Sequence, residues 1–382
     1  MKIVGIICEY NPFHLGHKKQ FDRIREAYGS DCIIVCLMSG NFVQRGMPAI
    51  FDKELRARCA LQSGADLVLE LPLPYALSSA EGFAACGVKI LSGFCDALCF
   101  GTETGTKETL LQTAAALLSA EFSTALKEQL STGISFPAAR QAAMEAMGAD
   151  SSLLQNPNDI LAVEYCKAIL SQGSVMDIHP IHRGGSYHAT TADAENPSAT
   201  ALRQCIENGL PWQQFVPEST HEILRDAAIY TIDAGQRAIL ARLRSMTEAD
   251  FAQLPYGSEG LWRKLMHACR CAATLEEIRT AVKSKRYTMT RIDRMILCAY
   301  LGLTAEDLQR PAPYVRVLAL GSAGRQALNK ARASGEFLHI GEAADDPYWQ
   351  IEQRCDDLYG LFRANTPAPA GREHLRRISL KG

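Results

Sequence analysis

Ile3-Val4-Gly5-Ile6-Ile7-Cys8-Glu9 runs straight into Tyr10-Asn11-Pro12-Phe13-His14-Leu15-Gly16-His17, and a helical pattern follows to Tyr28. The first seven residues are almost continuously apolar, the pattern of a strand buried on both faces. The spacing predicts a strand over Ile3–Glu9 and a helix over His17–Tyr28. Further strands are expected at Cys32–Met38, Asp66–Leu71, Ala97–Gly101 and around Ser174–Ile181, with helices at Lys53–Ser63, Leu77–Leu91 and Ile160–Ser171. Strands alternating with helices over short connections define an α/β doubly wound unit with a parallel sheet. After Thr106 a helical period persists to Met147. Beyond Ser198 helical runs dominate at Glu218–Arg244, Glu259–Cys271, Leu275–Lys283 and Thr290–Leu301, with one more strand expected near Tyr314–Leu318. A boundary near Leu210-Pro211 divides the chain into an α/β domain over residues 1–209 and a mainly α-helical domain over residues 210–382.

Composition narrows the class. The 382 residues are 47% hydrophobic and 21% charged, with 28 Gly and 16 Pro, which excludes a disordered, collagen-like or disulfide-stapled chain. No apolar run reaches the roughly 18 residues of a membrane span, and the first strand meets Glu9 without a small-residue cleavage site. A cytoplasmic protein with no membrane partner is expected. The 13 cysteines lie mostly in apolar runs and form no CxxC pair. The Cys95/Cys99 and Cys269/Cys271 spacings do not suit zinc, so the cysteines read as core residues in a reducing compartment. No dedicated metal site is expected. The net charge of −2 is uneven: residues 261–382 carry +7 and the rest −9. A basic segment on an acidic protein points to a polyanionic partner.

Chemistry concentrates in the loop after the first strand. In a doubly wound sheet, ligands bind beyond the carboxyl ends of the strands. Here the loop also feeds a helix N-terminus, where unpaired N–H groups and the dipole favour phosphate. Gly16 lets the backbone approach a ligand closely, and His14 and His17 bring two imidazoles to one anion. The pattern is neither G-x-G-x-x-G nor a Walker loop, so a nicotinamide dehydrogenase and a P-loop ATPase both lose ground.

His-x-Gly-His in this position resembles the signature of the nucleotidyltransferase and class I aminoacyl-tRNA synthetase superfamily, whose fold is Rossmann-like and whose chemistry is at the ATP α-phosphate. Ser198-Ala199-Thr200-Ala201-Leu202-Arg203 is similar to the S-x-T-x-I-R helix start with which nucleotidyltransferases grip triphosphate. Ser198 is read there as an N-cap, Thr200 as a hydroxyl donor and Arg203 as a phosphate fork.

Longer stretches narrow the resemblance. Residues Gly5–His17, Met38-Ser39-Gly40-Asn41-Phe42-Val43-Gln44-Arg45-Gly46-Met47-Pro48-Ala49, Asp66-Leu67-Val68-Leu69-Glu70-Leu71-Pro72, Phe100-Gly101-Thr102-Glu103 and Lys285-Arg286-Tyr287-Thr288-Met289-Thr290-Arg291 resemble the bacterial tRNA(Met) cytidine acetate ligase family. That family implies activation of acetate by ATP to acetyl-AMP and pyrophosphate. The acetyl group then passes to N4 of the wobble cytidine of elongator tRNA(Met), giving N4-acetylcytidine. It places ATP on Ile7, Cys8, Glu9, Tyr10, Asn11, Pro12, Phe13, His14, Leu15, Gly16, His17, Lys18, Lys19 and Gln20, and on Gly101, Asn158 and Arg183. Ser198, Thr200 and Arg203 join this set from the second motif. His14 and His17 are the expected catalytic pair, with Mg²⁺ accompanying ATP. Glu9 and Asp52 are both candidates for proton transfer, and Gln44 and Arg45 for contact with acetate or the base. The aromatic stripe in Tyr75–Phe94 reads as core.

Lys283, Lys285, Arg286, Tyr287, Arg291 and Arg294 mix charge with an aromatic, as phosphate-tracking surfaces do, and are the expected tRNA contacts. Lys283-Ser284-Lys285 also resembles the synthetase KMSKS loop, which touches triphosphate. The partners expected are tRNA and acetate, with no protein partner implied. Two other classes fit the motifs in part: a small-molecule adenylyl- or cytidylyltransferase, and a non-catalytic RNA-binding protein on the same fold.

Overall fold

Successive residues of the apolar runs point to opposite helix layers, which is why no alternation marks them in the sequence. The computed structural model describes residues 1–182, 198–334 and 346–381. Its strands are β1 (Ile3–Cys8), β2 (Ile33–Ser39), β3 (Phe42–Val43), β4 (Met47–Pro48), β5 (Leu67–Leu71), β6 (Ala97–Thr102), β7 (Asp177–His182), β8 (Arg316–Gly321) and β9 (Ser379–Lys381). Seven of them form one sheet in the order β7-β6-β1-β2-β5-β8-β9, and β3 and β4 make a separate hairpin. Ile3, Ile7, Ile33, Val35, Leu37, Leu67 and Leu69 face one layer, containing the helices Ala80–Ser92 and Pro157–Gln172. Val4, Ile6, Ile34, Cys36, Met38 and Val68 face the other, with helices Leu15–Tyr28 and Lys53–Gln62.

β1 pairs in parallel with β2 on one side and β6 on the other. The chain steps from β1 to β2 and β5 in one direction and returns to β6 and β7 in the other. This reversal opens a crevice at the carboxyl end of β1.

The C-terminal half is mainly helical, but it also completes the sheet. The strand expected near Tyr314–Leu318 lies at Arg316–Gly321 and pairs antiparallel with β5 (Glu70 opposite Arg316). β9, only three residues long and without a periodic signal, pairs parallel with β8. Two of the seven sheet strands therefore come from beyond residue 210. The helices Ile232–Ser245, Leu261–Cys271, Leu275–Val282 and Met289–Leu301 build a second core, into which Phe42, Leu73 and Leu77 of the first half insert. Several long helical runs are interrupted by caps. Ser79 starts the Ala80–Ser92 helix by accepting from Gly82 N, where the sequence predicted a helix from Leu77. Ser119 and Ser135 divide the stretch after Thr106 into three helices. Thr231 caps Ile232–Ser245 and separates it from short turns at 218–224.

The C-terminal tail is locked to the sheet by buried charges. Lys53 Nζ lies 2.7 Å from Glu70 Oε1 and 2.6 Å from Glu373 Oε1. Arg316 pairs with Glu70 and Glu373. Arg376 bonds Asp52 at 2.6 Å, Asp356 at 2.7 Å and Glu373 at 2.6 Å. Removing one member of such a buried set typically costs about 3–5 kcal/mol, because its partner is left desolvated and uncompensated.

Glu352 borders this network and accepts from Tyr314 Oη at 2.6 Å. Burial, with Glu70 nearby, pushes its carboxyl from 4.5 up to about 7. Between those values the folded chain keeps a proton that the unfolded chain has released, so this group's contribution to stability falls as pH rises. Glu352→Gln keeps an acceptor for Tyr314 and removes the titration. Urea unfolding should show the variant gaining stability relative to the parent as pH increases from about 5 to 8. A difference that stays constant over that range would place the titration elsewhere.

Candidate active site

Two histidines cap one helix and one another. His14 is the N-cap of the Leu15–Tyr28 helix, and its Nδ1 accepts from Gly16 N at 3.1 Å. His17 Nδ1 accepts from His14 N at 3.2 Å. A ring nitrogen that accepts carries no proton, so each imidazole bears its proton on Nε2 and offers it as a donor. The rings stack with centroids 3.7 Å apart. The predicted helix start at His17 is thus two residues late. An HxxH spacing is also the spacing of a reciprocal capping box.

The loop is held from beneath. Tyr10, at φ 45°, and Phe13 are buried and pack with Phe21 and His17. Asn11 Oδ1 accepts from Ile50 N at 2.8 Å. Arg56 is fully buried and donates to four backbone carbonyls: Phe51 at 2.9 Å, Glu9 at 2.5 Å, Ser39 at 3.2 Å, and Gly40. It fastens the carboxyl ends of β1 and β2 to each other. The sequence reading missed Arg56, since an arginine in a helix usually reads as a surface charge.

Above these residues lies a cleft of about 360 Å³. Of the residues expected to meet ATP, Ile7, Cys8, Glu9, Tyr10, Asn11, His14, Gly16, His17, Lys19 and Gln20 line it, as do Gly101, Asn158, Ser198, Thr200 and Arg203. Pro12, Phe13, Leu15 and Lys18 do not. Phe13 is core, and Lys18 pairs with Asp22. Arg183 lies outside the described residues. Ser198 caps the Ala199–Glu207 helix by accepting from Ala201 N at 3.0 Å. Arg203 reaches Asn11 O at 2.7 Å and Thr200 Oγ1 at 3.1 Å. The two predicted phosphate motifs, nearly two hundred residues apart in sequence, therefore touch.

The opposite wall depends on two acids with no role assigned from sequence. Glu103 accepts from Asn158 Nδ2 at 2.6 Å and Asp159 N at 2.9 Å. Asp159, fully buried, accepts in return from Glu103 N at 2.9 Å and Thr104 Oγ1 at 2.8 Å. This exchange fixes the end of β6 against the start of the Pro157–Gln172 helix. Glu103 stood in a quoted motif; Asp159 carried only the turn signal Asn-Pro-Asn-Asp.

Two expectations need correction. Asp52 is not in the cleft: it caps the Lys53–Gln62 helix and pairs with Arg376 and Arg372. Burial alone would raise its carboxyl, but Arg376 more than offsets this and holds it well below the usual carboxylate range, so it is a poor base. The basic run is also less of a surface than its composition implied. Tyr287 is buried, with its hydroxyl on Glu259 O. Arg291 binds Tyr256 O at 3.0 Å and Ser258 Oγ at 2.8 Å. Arg294 bonds Gln44 O and lies over the Tyr256 ring. Lys283 closes its own turn onto Tyr287 O. Lys285 and Arg286 are exposed, Arg286 alongside Glu259. These residues position the cleft wall and the helical half as much as they present charge.

Among the described residues no group of three His, Cys, Asp or Glu side chains could hold a metal, and no helix is long and apolar enough to cross a membrane. The profile of the HIGH nucleotidyl transferase family matches residues 1–373, a span that includes the stacked His14–His17 pair after β1. Within it the chain belongs to the tRNA(Met) cytidine acetate ligases. It is 32% identical to that ligase of Acetivibrio thermocellus over the whole of both chains. It is 37% identical to the Syntrophomonas wolfei ligase, over 88% of this chain and 86% of the relative. The crystal structure of Thermotoga maritima TmcAL superposes over the full length of both chains with a TM-score of 0.89 at 28% identity. A second form of that protein, bound with alpha-thio ATP, gives 0.87.

His14 caps the helix, and substitutions separate that role from one in ATP binding. Serine retains an N-cap oxygen and removes the imidazole; alanine removes both. Thermal unfolding should place His14→Ser near the parent and His14→Ala about 1 kcal/mol lower. Both should lose most of the stabilisation that ATP confers. Full ATP-dependent stabilisation of His14→Ser would show that the imidazole only caps.

Proposed function

We propose that this chain is an ATP-dependent ligase that activates acetate and transfers the acetyl group to N4 of the wobble cytidine of elongator tRNA(Met). The observation that carries this reading is the convergence, in one cleft, of the two capped helix N-termini, the His14–His17 pair and Arg203. In the first step an acetate oxygen attacks the α-phosphorus of ATP. The new O–P bond forms as the bond to the bridging oxygen breaks, and pyrophosphate leaves with the electron pair. His14 and His17 donate from Nε2 to phosphate oxygens, and Arg203 and the Ala199–Glu207 helix N-terminus hold the triphosphate. Charge neutralisation and alignment do most of the work, since no covalent enzyme intermediate is needed. Magnesium fits this scheme as a companion of the triphosphate, held by its oxygens rather than by a protein cluster.

In the second step N4 of the cytidine attacks the acetyl carbonyl carbon, AMP departs, and the amine loses a proton. The base must leave its stack to reach the mixed anhydride. Of the two carboxylates considered for that proton, only Glu9 lines the cleft. The chemistry is assigned to residues 1–209 and tRNA binding to residues 210–382, with Lys285 and Arg286 the exposed members of the basic run. The working compartment is the cytoplasm, where tRNA and ATP are found.

The test is acetate-dependent exchange of labelled pyrophosphate into ATP without tRNA, paired with tRNA acetylation using acetyl-CoA in place of ATP and acetate. The first should proceed and fall about 10²-fold in His17→Ala; the second should give no product. Exchange that ignores acetate, or robust modification from acetyl-CoA, would contradict the ligase reading.

A further inference from the structure

The turn of the β3–β4 hairpin carries a buried amide nitrogen, Gln44 Nε2, without a hydrogen-bond partner among the described residues. Gln44 is held at both ends of its backbone: its N–H donates to Glu9 Oε1 at 2.8 Å, and its carbonyl accepts from Arg294 Nη1 at 3.3 Å. The turn has little freedom. Gly46 sits at φ +78°, and a Cβ there would meet Arg294 N and Asp293 C at 2.5 Å. The hairpin is therefore pressed against the Met289–Leu301 helix, with Arg294 stacked over Tyr256 at 5.0 Å. This fixed backbone places the Gln44 side chain in the wall of the cleft that holds Glu9, His14 and His17. Its Nε2 is buried and has no hydrogen-bond partner among the described residues. A buried amide N–H left unpaired is costly, which points to a ligand acceptor that satisfies it.

We propose that Gln44 Nε2 binds an oxygen of the acetate carboxylate and orients the other oxygen toward the α-phosphorus of ATP. The proposal rests on the acetyl-adenylate reading. Three features favour acetate as the occupant. The phosphate-facing groups come from other elements, the Leu15–Tyr28 and Ala199–Glu207 helix starts, leaving the hairpin wall for the second substrate. Val43 and Met47, on either side of Gln44 in the hairpin, also line the cleft and offer an apolar surface to a methyl group. A neutral amide binds a carboxylate without the full charge pairing of an arginine, which would blunt the nucleophilic oxygen. Neighbouring Arg45 lines the cleft too, and has interactions of its own.

The test measures KM for acetate and for ATP separately, in pyrophosphate exchange without tRNA, for the parent, Gln44→Leu and Gln44→Glu. Leucine removes the donor at similar size; glutamate keeps the shape and sets a like charge against acetate. Losing a bond to a charged ligand should raise KM for acetate about 10-fold or more in Gln44→Leu, and further in Gln44→Glu, with KM for ATP within about 2-fold. An unchanged acetate KM in both variants overturns the assignment. If the tRNA KM of the transfer step rises instead, the amide reads the flipped cytosine and the acetate proposal is likewise overturned. Absence of acetate-dependent exchange in the parent enzyme would overturn the reaction itself, an outcome distinct from parental exchange with an unaltered acetate KM in the variants.

Discussion

The guanidinium of Arg56 is the constraint on which the site depends. Two neighbouring parallel strands end with their carbonyls pointing into a region that must stay open for a ligand, and those carbonyls need donors. Arg56 supplies them from within the core, joining Glu9 O to Ser39 O and Gly40 O. With those strand ends fixed, the chain after Glu9 can turn sharply at Tyr10 and deliver His14 to its capping position. Desolvation lowers the affinity of Arg56 for its proton, and the nearby Tyr359, Asp52 and Glu9 work against that. A buried cation is stable here because its donors meet carbonyls with matching fork geometry.

The same region is closed from the far end of the chain. Lys53, three residues before Arg56, meets Glu70 of β5 and Glu373 of the tail, while Asp52 meets Arg376. Asn41, just after the Arg56-bound carbonyls, donates to Asp356 at 2.6 Å and accepts from Lys53 N at 2.8 Å. The tail therefore does more than cover a sheet edge, because its carboxylates neutralise cations that brace the cleft floor. Arg294 adds a second link by tying the helical half to the hairpin beside the cleft.

Much of this was legible in the sequence, and the limits have physical causes. The order of strands and helices in the first half followed from apolar runs too short and too continuous to be surface elements. The ligand loop was legible because His14, Gly16 and His17 sit just after the first strand. What escaped were interactions closed over long separations. Arg56 looks like any helical arginine until its carbonyl partners are in place. The Glu103–Asp159 exchange joins a motif at the end of a strand to a segment that carries only a turn signal. β9 is too short to announce itself, and nothing in the sequence pairs Glu373 or Arg376 with Lys53 or Asp52. The basic run misled for the complementary reason: composition records charge, but not that Arg291 and Arg294 spend theirs on loop carbonyls.

The modified nucleoside is the most direct witness of the reaction. Elongator tRNA(Met), incubated with the enzyme, ATP and isotopically labelled acetate, can be digested and its nucleosides analysed by mass spectrometry. One labelled acetyl group is expected on N4 of the wobble cytidine, with one AMP and one pyrophosphate formed for each acetyl group transferred. Unmodified tRNA, or label on any other nucleotide, would contradict it.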